Sequence, residues 1–255
     1  MNDIGDSPLE LHAASNRKTG AEHLRRGEGC QDAMLITHEG SLHVYGLADG
    51  QSGKTHSAEG GLRILHTVAA CLTAHGLREF THCAHEDEMK YVIMRHIRRA
   101  LSDMANELQL PDVKELSSTL VMIAIDDRAG EYMTLHLGDG AVIGARHDGS
   151  MRFISEPENG VTGRYTYLTT SGDAMLHLRI SFGQADAYSR IIMLTDGASG
   201  FCRGKNVSPR ARQLIRSAGR EALAAALDGE TPEDDASIIV IDVAPRSRTA
   251  ARLSD

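Results

Sequence analysis

The sequence predicts an α+β fold, in which antiparallel strands and helices form separate layers of one domain. Strand-like segments follow one another in blocks, without the strict strand–helix–strand alternation of a doubly wound sheet. The segment Tyr132–Leu137 alternates in polarity, with Met133, Leu135 and Leu137 on one face, as expected of a half-buried antiparallel strand. The 255 residues contain no internal repeat, and this length suits a single large domain.

The predicted strands are short apolar runs bounded by turn-forming residues. In chain order they are Ala33–Thr37, Leu42–Ala48, Thr119–Asp126, Tyr132–Leu137, Ala141–Arg146, Arg190–Thr195 and Ser237–Val243. The runs IIML and IIVI in the last two strands are apolar throughout, which indicates that these strands are buried on both faces.

Three helices are predicted from apolar positions at helical spacing. They are Ser57–His75, Asp87–Leu108 and Pro209–Leu227. The second places Ile93, Ile97 and Met104 on one stripe. The third follows Ser208, a favourable N-cap, and has proline in its first turn.

The folded domain is predicted to span residues 13–244. Residues 1–12 and 245–255 are polar or basic and lack periodic apolar positions, so both are predicted to be disordered tails.

The composition excludes several classes of function. A net charge of −8, the absence of Trp and an aromatic content of 4% argue against a nucleic-acid-binding protein. No apolar run approaches the roughly 20 residues that span a bilayer, so no membrane association is predicted. The N-terminus lacks the apolar core of a secretory signal, and the four cysteines form no CxxC pair. A cytoplasmic protein with reduced thiols is the resulting expectation.

Aspartates lie at the ends of several predicted strands. Asp49, Asp139 and Asp196 each follow an apolar strand and precede a glycine, whereas Asp32 and Asp234 come just before strands. Any one Asp-Gly pair can be a simple turn, which is the interpretation for Asp148-Gly149 and Asp228-Gly229.

Several aspartates at strand ends, taken together, indicate a cation site. Carboxylates that converge on one point repel each other unless they are protonated or neutralised by cations. Oxygen ligands alone suit hard ions such as Mg²⁺ or Mn²⁺, and a pair of these ions can activate water and bind a phosphoryl group.

Six short motifs in order complete this pattern. They are QDA at 31–33, ADGQSG at 48–53, SST at 117–119, LGDG at 137–140, LTDG at 194–197 and DDAS at 234–237. This order resembles the type 2C, metal-dependent family of protein phosphatases, over nearly the whole domain.

The resemblance implies a four-layer α/β/β/α sandwich of two antiparallel sheets flanked by helices. It also implies hydrolysis of phosphoserine and phosphothreonine by a water held between two Mn²⁺ or Mg²⁺ ions, with a third ion in some relatives.

The resemblance assigns roles to individual residues. Asp49 would bridge both ions and the Gly50 carbonyl would bind the second, while Asp196 and Asp234 would complete the first ion's site. Asp32 would act mainly through water. The aspartates at positions 49 and 196 would be the catalytic pair, and Asp139 and the SST motif would support the site.

The sequence departs from the family at the phosphate-binding arginine. Many relatives carry it five residues before the aspartate that corresponds to Asp32, a position occupied here by Gly27. Arg25, Arg26 and His23 are the nearest candidates, and Arg17 lies further back. An imidazole cannot reproduce the bidentate contacts of a guanidinium.

Two other positions also differ from the family. Gln51 occupies a position where some relatives have a histidine, and neither Asp112 nor Glu115 aligns convincingly with a third-metal ligand. The stretch 147–189 is rich in Gly, Ser and Thr and corresponds to the family's flap, which biases substrate choice.

The resemblance also implies a phosphoprotein substrate. That substrate would be a Ser/Thr kinase or a protein that such a kinase phosphorylates.

Two alternatives remain open at this point. One is a pseudophosphatase that binds phosphoproteins without turnover, and the other is a metallohydrolase of small phosphate esters. The retained Asp49, Asp196 and Asp234 argue against the first, since a non-catalytic site gains nothing from their repulsion.

Overall fold

A computed structural model describes residues 9–81, 85–159, 165–198, 200–203 and 206–245. Its strands are β1 Leu9–Lys18, β2 Ala33–Glu39, β3 Leu42–Ala48, β4 Leu120–Asp126, β5 Glu131–Leu137, β6 Ala141–Ala145, β7 Met151–Ser155, β8 Arg179–Gln184, β9 Arg190–Leu194, β10 Cys202–Arg203, β11 Asn206–Val207 and β12 Ala236–Pro245. Its helices are α1 Ala21–Arg26, α2 Ser57–Thr81, α3 Glu86–Glu107, α4 Ala174–His177, α5 Pro209–Ser217 and α6 Arg220–Ala224.

Ten of these strands form two antiparallel sheets of five. The first sheet has the order β1-β12-β9-β6-β7, and the second has the order β2-β3-β4-β5-β8. The remaining two, β10 and β11, form a small hairpin of their own.

Three apolar cores separate four layers. The central core joins the facing sides of the two sheets, where Tyr45 and Ile123 of the second sheet meet Ile191 and Ile239 of the first. A second core lies between β2–β5 and the helices α2 and α3. The third lies between β6, β9 and β12 and the helices α5 and α6. The predicted α/β/β/α sandwich is therefore confirmed.

The interior strands and the long helices agree closely with the sequence prediction. The strand Leu42–Ala48 has the predicted bounds, and the helix predicted at Asp87–Leu108 is observed at Glu86–Glu107. Ser208 caps α5 as predicted, because its hydroxyl accepts the Ala211 amide proton over 3.2 Å. None of the helices in the described ranges is both long and apolar enough to cross a membrane.

The predicted N-terminal tail was too long. Residues 9–12 belong to β1, which pairs with β12 along its whole length, from Leu9 opposite Pro245 to Lys18 opposite Ala236. This pairing satisfies the backbone of a strand whose own sequence is only weakly alternating. Residues 1–8 and 246–255 lie outside the described residues, and the tail predicted from residue 245 overlaps only the last residue of β12.

The helix predicted over Pro209–Leu227 is broken after Ser217. Ala218 is extended, and a second short helix begins at Arg220. The Arg190 side chain stabilises the break, since its Nη1 donates to the carbonyl oxygens of Ile215 at 3.0 Å and Ala218 at 2.8 Å. These bonds satisfy carbonyl groups that have no partner within the helix.

The stretch 147–189 contains more regular structure than a flap alone. It includes β7 and β8, which are the edge strands on one side of the two sheets, and α4. Their partly exposed side chains lack a clear apolar pattern, which is why the sequence did not predict them. Residues 160–164 of this stretch lie outside the described residues.

Candidate metal centre

The centre of the site is a group of three carboxylates from both sheets. Asp49 follows β3, Asp139 follows β5 and Asp196 follows β9. One carboxylate oxygen from each of them lies within 4.8 Å of the other two. The two sheets thus bring together residues that are far apart in the sequence, as the sequence predicts for Asp49 and Asp196.

The turn at Asp49-Gly50 is held by the segment just before β4. The Asp49 amide donates to Thr119 Oγ1 over 2.9 Å, and the Thr119 amide donates back to the Asp49 carbonyl over 2.8 Å. Gly50 is required here, because a Cβ would lie 2.6 Å from both the Gln31 carbonyl oxygen and the Ser57 hydroxyl. The supporting role predicted for the SST motif agrees with these contacts.

Asp32 lies beneath this group and is fully buried. Its Oδ2 accepts hydrogen bonds from Thr195 Oγ1 at 2.9 Å and Ser237 Oγ at 2.6 Å. Its Oδ1 is also buried and accepts no hydrogen bond from the residues that the structure describes. A buried carboxylate oxygen without a donor is costly unless a cation or an ordered water satisfies it.

The electrostatics of the group also favour a bound cation. Burial, with charge from Asp235 and Asp196, raises the pKa of Asp32 to about 7. Burial and the charges of neighbouring aspartates, first among them Asp32, hold the pKa of Asp49 well above its usual range. Desolvation and the charges of Asp139 and Asp234 raise the pKa of Asp196 to about 6. Cations would remove this repulsion, so the residues present fit a divalent metal site.

Asp139 has a more central position than the sequence suggested. It was expected to support the site, yet its carboxylate belongs to the same group as those of Asp49 and Asp196. Gly138 adopts a φ of +113°, a backbone conformation that favours glycine, immediately before it. The sequence signal was the same Asp-Gly pair after a strand that identified the other two aspartates.

Asp234 lies close enough to this group for its charge to raise the pKa of Asp49, Asp139 and Asp196. It is also part of a second potential ligand group, with His23 and Asp235, whose ligand atoms lie within 4.8 Å of one another.

The phosphate-binding role predicted for His23 does not agree with its position. Only 1% of the residue is exposed, and its Nδ1 lies 2.9 Å from Asp235 Oδ2. Burial lowers the pKa of His23, but the hydrogen bond and charge of Asp235 and the charges of Asp234 and Glu28 together make the net shift upward. Asp235 also accepts the amide protons of Gly20 and Gln31, so His23 belongs to a buried clamp around this aspartate.

Arg25 and Arg26 are exposed side chains on α1, and both form ion pairs with acidic neighbours. Arg25 pairs with Glu233 at 3.1 Å, and Arg26 pairs with Glu22. Arg17 is different, because its Nη1 donates to the Asp32 carbonyl oxygen at 2.7 Å, and none of the ion pairs between described residues involves it. The structure therefore brings a guanidinium to the site from β1, a strand that the sequence did not predict.

The residues considered for a third metal have local structural partners. Asp112 accepts the Lys114 amide proton at 2.9 Å, and Glu115 pairs with Lys54 at 2.9 Å. Asp112 thus caps the short 3-10 helix Val113–Leu116, and Glu115 lies within it.

The sequence matches a family profile described as Protein phosphatase 2C over residues 19–230. Many solved structures share the fold, among them PppA, PstP and Stp1. PppA, a key regulatory component of T6SS in Pseudomonas aeruginosa, is 17% identical with a TM-score of 0.69, and the match covers 92% of this chain and 98% of that chain.

The catalytic domain of the serine/threonine protein phosphatase PstP, in complex with two manganese ions, is 20% identical with a TM-score of 0.61, covering 92% and 99% of the two chains. The serine/threonine phosphatase Stp1 from Staphylococcus aureus is 11% identical with a TM-score of 0.64, covering 91% and 95%. No curated protein sequence matches the chain.

Proposed function

Since the chain belongs to the protein phosphatase 2C family, we propose that it removes phosphate from serine and threonine side chains of proteins. The observation that carries this proposal is the meeting of Asp49, Asp139 and Asp196 at one edge of the two sheets. The resemblance found in the sequence and the family match lead to the same activity, a metal-dependent protein serine/threonine phosphatase.

Divalent cations would be held by Asp49, the Gly50 carbonyl, Asp196 and Asp234, with Asp139 as an additional ligand. Two Mn²⁺ or Mg²⁺ ions held there would supply Lewis acidity, which lowers the pKa of a bound water and offsets the charge of a phosphoryl group. The raised pKa values of Asp32 and Asp49, and the Asp32 Oδ1 atom without a partner among the described residues, support this assignment. The manganese ions of PstP, which has the same fold, agree with it.

The protein's own residues then have distinct tasks. Thr195 and Ser237 orient Asp32 so that one oxygen faces their hydroxyls and the other remains available to a water or cation. Asp49 and Asp196 would supply the negative charge that holds the cations. Arg17 is the best placed guanidinium for binding the substrate phosphate, because Arg25 and Arg26 already pair with glutamates.

The substrate would be a phosphoprotein, and the partner would be a Ser/Thr kinase or one of its targets. The cytoplasmic location and the signalling role remain predictions from the sequence. A pseudophosphatase is less consistent with the site, since the retained aspartates repel one another in the absence of cations.

The test is Mn²⁺-dependent hydrolysis of an aryl phosphate and of a phosphothreonine peptide by the wild type and Asp196→Asn. We expect turnover of both substrates by the wild type, a preference for the peptide, and loss of both activities in the variant. Mn²⁺ binding without turnover would favour the pseudophosphatase. Turnover of the aryl phosphate alone would favour the hydrolase of small esters.

A further inference from the structure

The segment Thr166–Thr170 leads from the Gly-rich stretch back to α4 and crosses the ends of two strands. At one end of this return segment, the Thr169 amide and hydroxyl both donate to the Ser118 carbonyl oxygen, at 2.9 and 3.0 Å. The Thr170 and Ser117 hydroxyls are hydrogen-bonded to each other at 2.5 Å. The return segment is therefore attached to the turn that precedes β4.

The same turn holds Asp49 on its other side. Beside the bonds between Asp49 and Thr119, the Gln51 amide donates to the Ser117 carbonyl at 2.9 Å, and Gly50 forms a backbone bridge with Ser118. The turn 117–119 therefore contacts both the return segment and the turn that carries Asp49.

At its other end, the return segment contacts the second carboxylate directly. Thr166 Oγ1 donates to Asp139 Oδ2 over 2.6 Å. The Thr166 methyl group packs against the turn that carries Asp139, since a Cβ on Gly138 would lie 3.3 Å from Thr166 Cγ2. On the segment that follows β7 and leads into the Gly-rich stretch, the Glu158 amide donates to the Gly138 carbonyl at 3.0 Å, and Asn159 forms a backbone bridge with Thr166.

We infer that Thr166 is a positioning residue, whose hydroxyl fixes the Asp139 carboxylate in the orientation that completes the cation site with Asp49 and Asp196. The inference rests on the proposed metal-dependent function. The Thr166 hydroxyl donates to one of the two Asp139 carboxylate oxygens. This bond restricts rotation of the carboxylate about the Cβ–Cγ bond. Groups that orient a ligand in this way typically contribute about 10–100-fold to metal affinity.

The matched variants are Thr166→Val, which has a similar shape but no hydroxyl, and Thr166→Ser, which keeps the hydroxyl and loses the methyl group. Mn²⁺ binding to the cation-free proteins is measured by calorimetry, and the Mn²⁺ dependence of turnover is measured in parallel. We expect Thr166→Val to bind Mn²⁺ about tenfold more weakly. We also expect Thr166→Ser to bind like the wild type, and kcat at saturating Mn²⁺ to change little in either variant.

Three results would overturn the inference. They are wild-type Mn²⁺ affinity in Thr166→Val, an equal loss of affinity in both variants, or a lower kcat with unchanged affinity. Thr166→Ala provides a second test of the missing hydroxyl if the valine variant does not fold. Failure of the proposed function is distinguishable, because the wild type itself would then show no Mn²⁺-dependent turnover.

Discussion

The Thr195 hydroxyl donates a hydrogen bond to Asp32 Oδ2 over 2.9 Å and thereby ties the two sheets together at the candidate metal centre. Thr195 follows the strand β9 of one sheet, and Asp32 precedes the strand β2 of the other. Thr195 Oγ1 also accepts the Ser237 amide proton at 2.8 Å, so β12 takes part in the same network. The buried Asp32 carboxylate is thus oriented by Thr195, which follows β9, and by Ser237 of β12, both in the opposite sheet.

Replacing Asp49 by alanine should abolish turnover without unfolding the protein. The substitution removes a ligand and also removes negative charge from a repulsive group. We therefore expect a melting temperature in the absence of cations that is equal to or above the wild-type value, and no gain on adding Mn²⁺. Asp148→Ala, in an exposed turn, is the control and should keep full activity. Wild-type turnover in Asp49→Ala would contradict the mechanism.

The cation-free protein should become less stable as the pH rises. Folding raises the pKa of Asp32 from 3.8 to about 7 and that of Asp196 to about 6, so the folded state binds more protons than the unfolded state between these limits. The free energy of unfolding therefore falls from about pH 4 to about pH 7.

Mn²⁺ should remove most of this pH dependence, since bound cations favour the ionised carboxylates. Urea unfolding at several pH values, with a chelator and with Mn²⁺, measures the effect. A stability that rises over this pH range in the chelator would show that the aspartates are not close together.

Arg17 is expected to bind the substrate phosphate. Losing charge-assisted hydrogen bonds to the phosphate costs about 1.5–3 kcal/mol. We therefore expect Arg17→Ala to lower kcat/KM about tenfold to hundredfold. Arg17→Lys should recover only part of this loss, because an ammonium group cannot form bidentate contacts. The control Arg25→Ala removes an exposed side chain paired with Glu233 and should have little effect. Equal effects of Arg17→Ala and Arg25→Ala would refute this assignment.

Gly50→Ala should disturb the site from the backbone. The added methyl would lie 2.6 Å from the Gln31 carbonyl oxygen and the Ser57 hydroxyl, so the turn that carries Asp49 must shift. Overpacking of this kind costs about 1–3 kcal/mol of stability. We expect weaker Mn²⁺ binding in calorimetry and a lower melting temperature. Gly29→Ala is the matched control, since its Cβ would meet no atom within 4 Å.

The sequence predicted the parts of the molecule that depend on local pattern. Buried strands such as Leu42–Ala48 and Arg190–Leu194 are continuous apolar runs, and the aspartates that follow them are visible as Asp-Gly pairs. Their convergence could be inferred because strand ends on the same side of a sandwich meet at one edge. The resemblance to a known family supplied the order of the motifs.

The parts that were missed depend on contacts between distant residues. The role of His23 is decided by Asp235, which lies near the other end of the chain. The strand β1 acquires its structure from pairing with β12, so Arg17 could not be placed beside Asp32 from the sequence. The edge strands β7 and β8 have mixed polarity because one side of each is open.

The most direct test of the metal centre is an anomalous-difference electron density map of crystals soaked in Mn²⁺. The structure predicts manganese peaks between Asp49, Asp139 and Asp196, each within about 2–2.5 Å of a carboxylate oxygen. Peaks located elsewhere, with these three aspartates unliganded, would contradict the account.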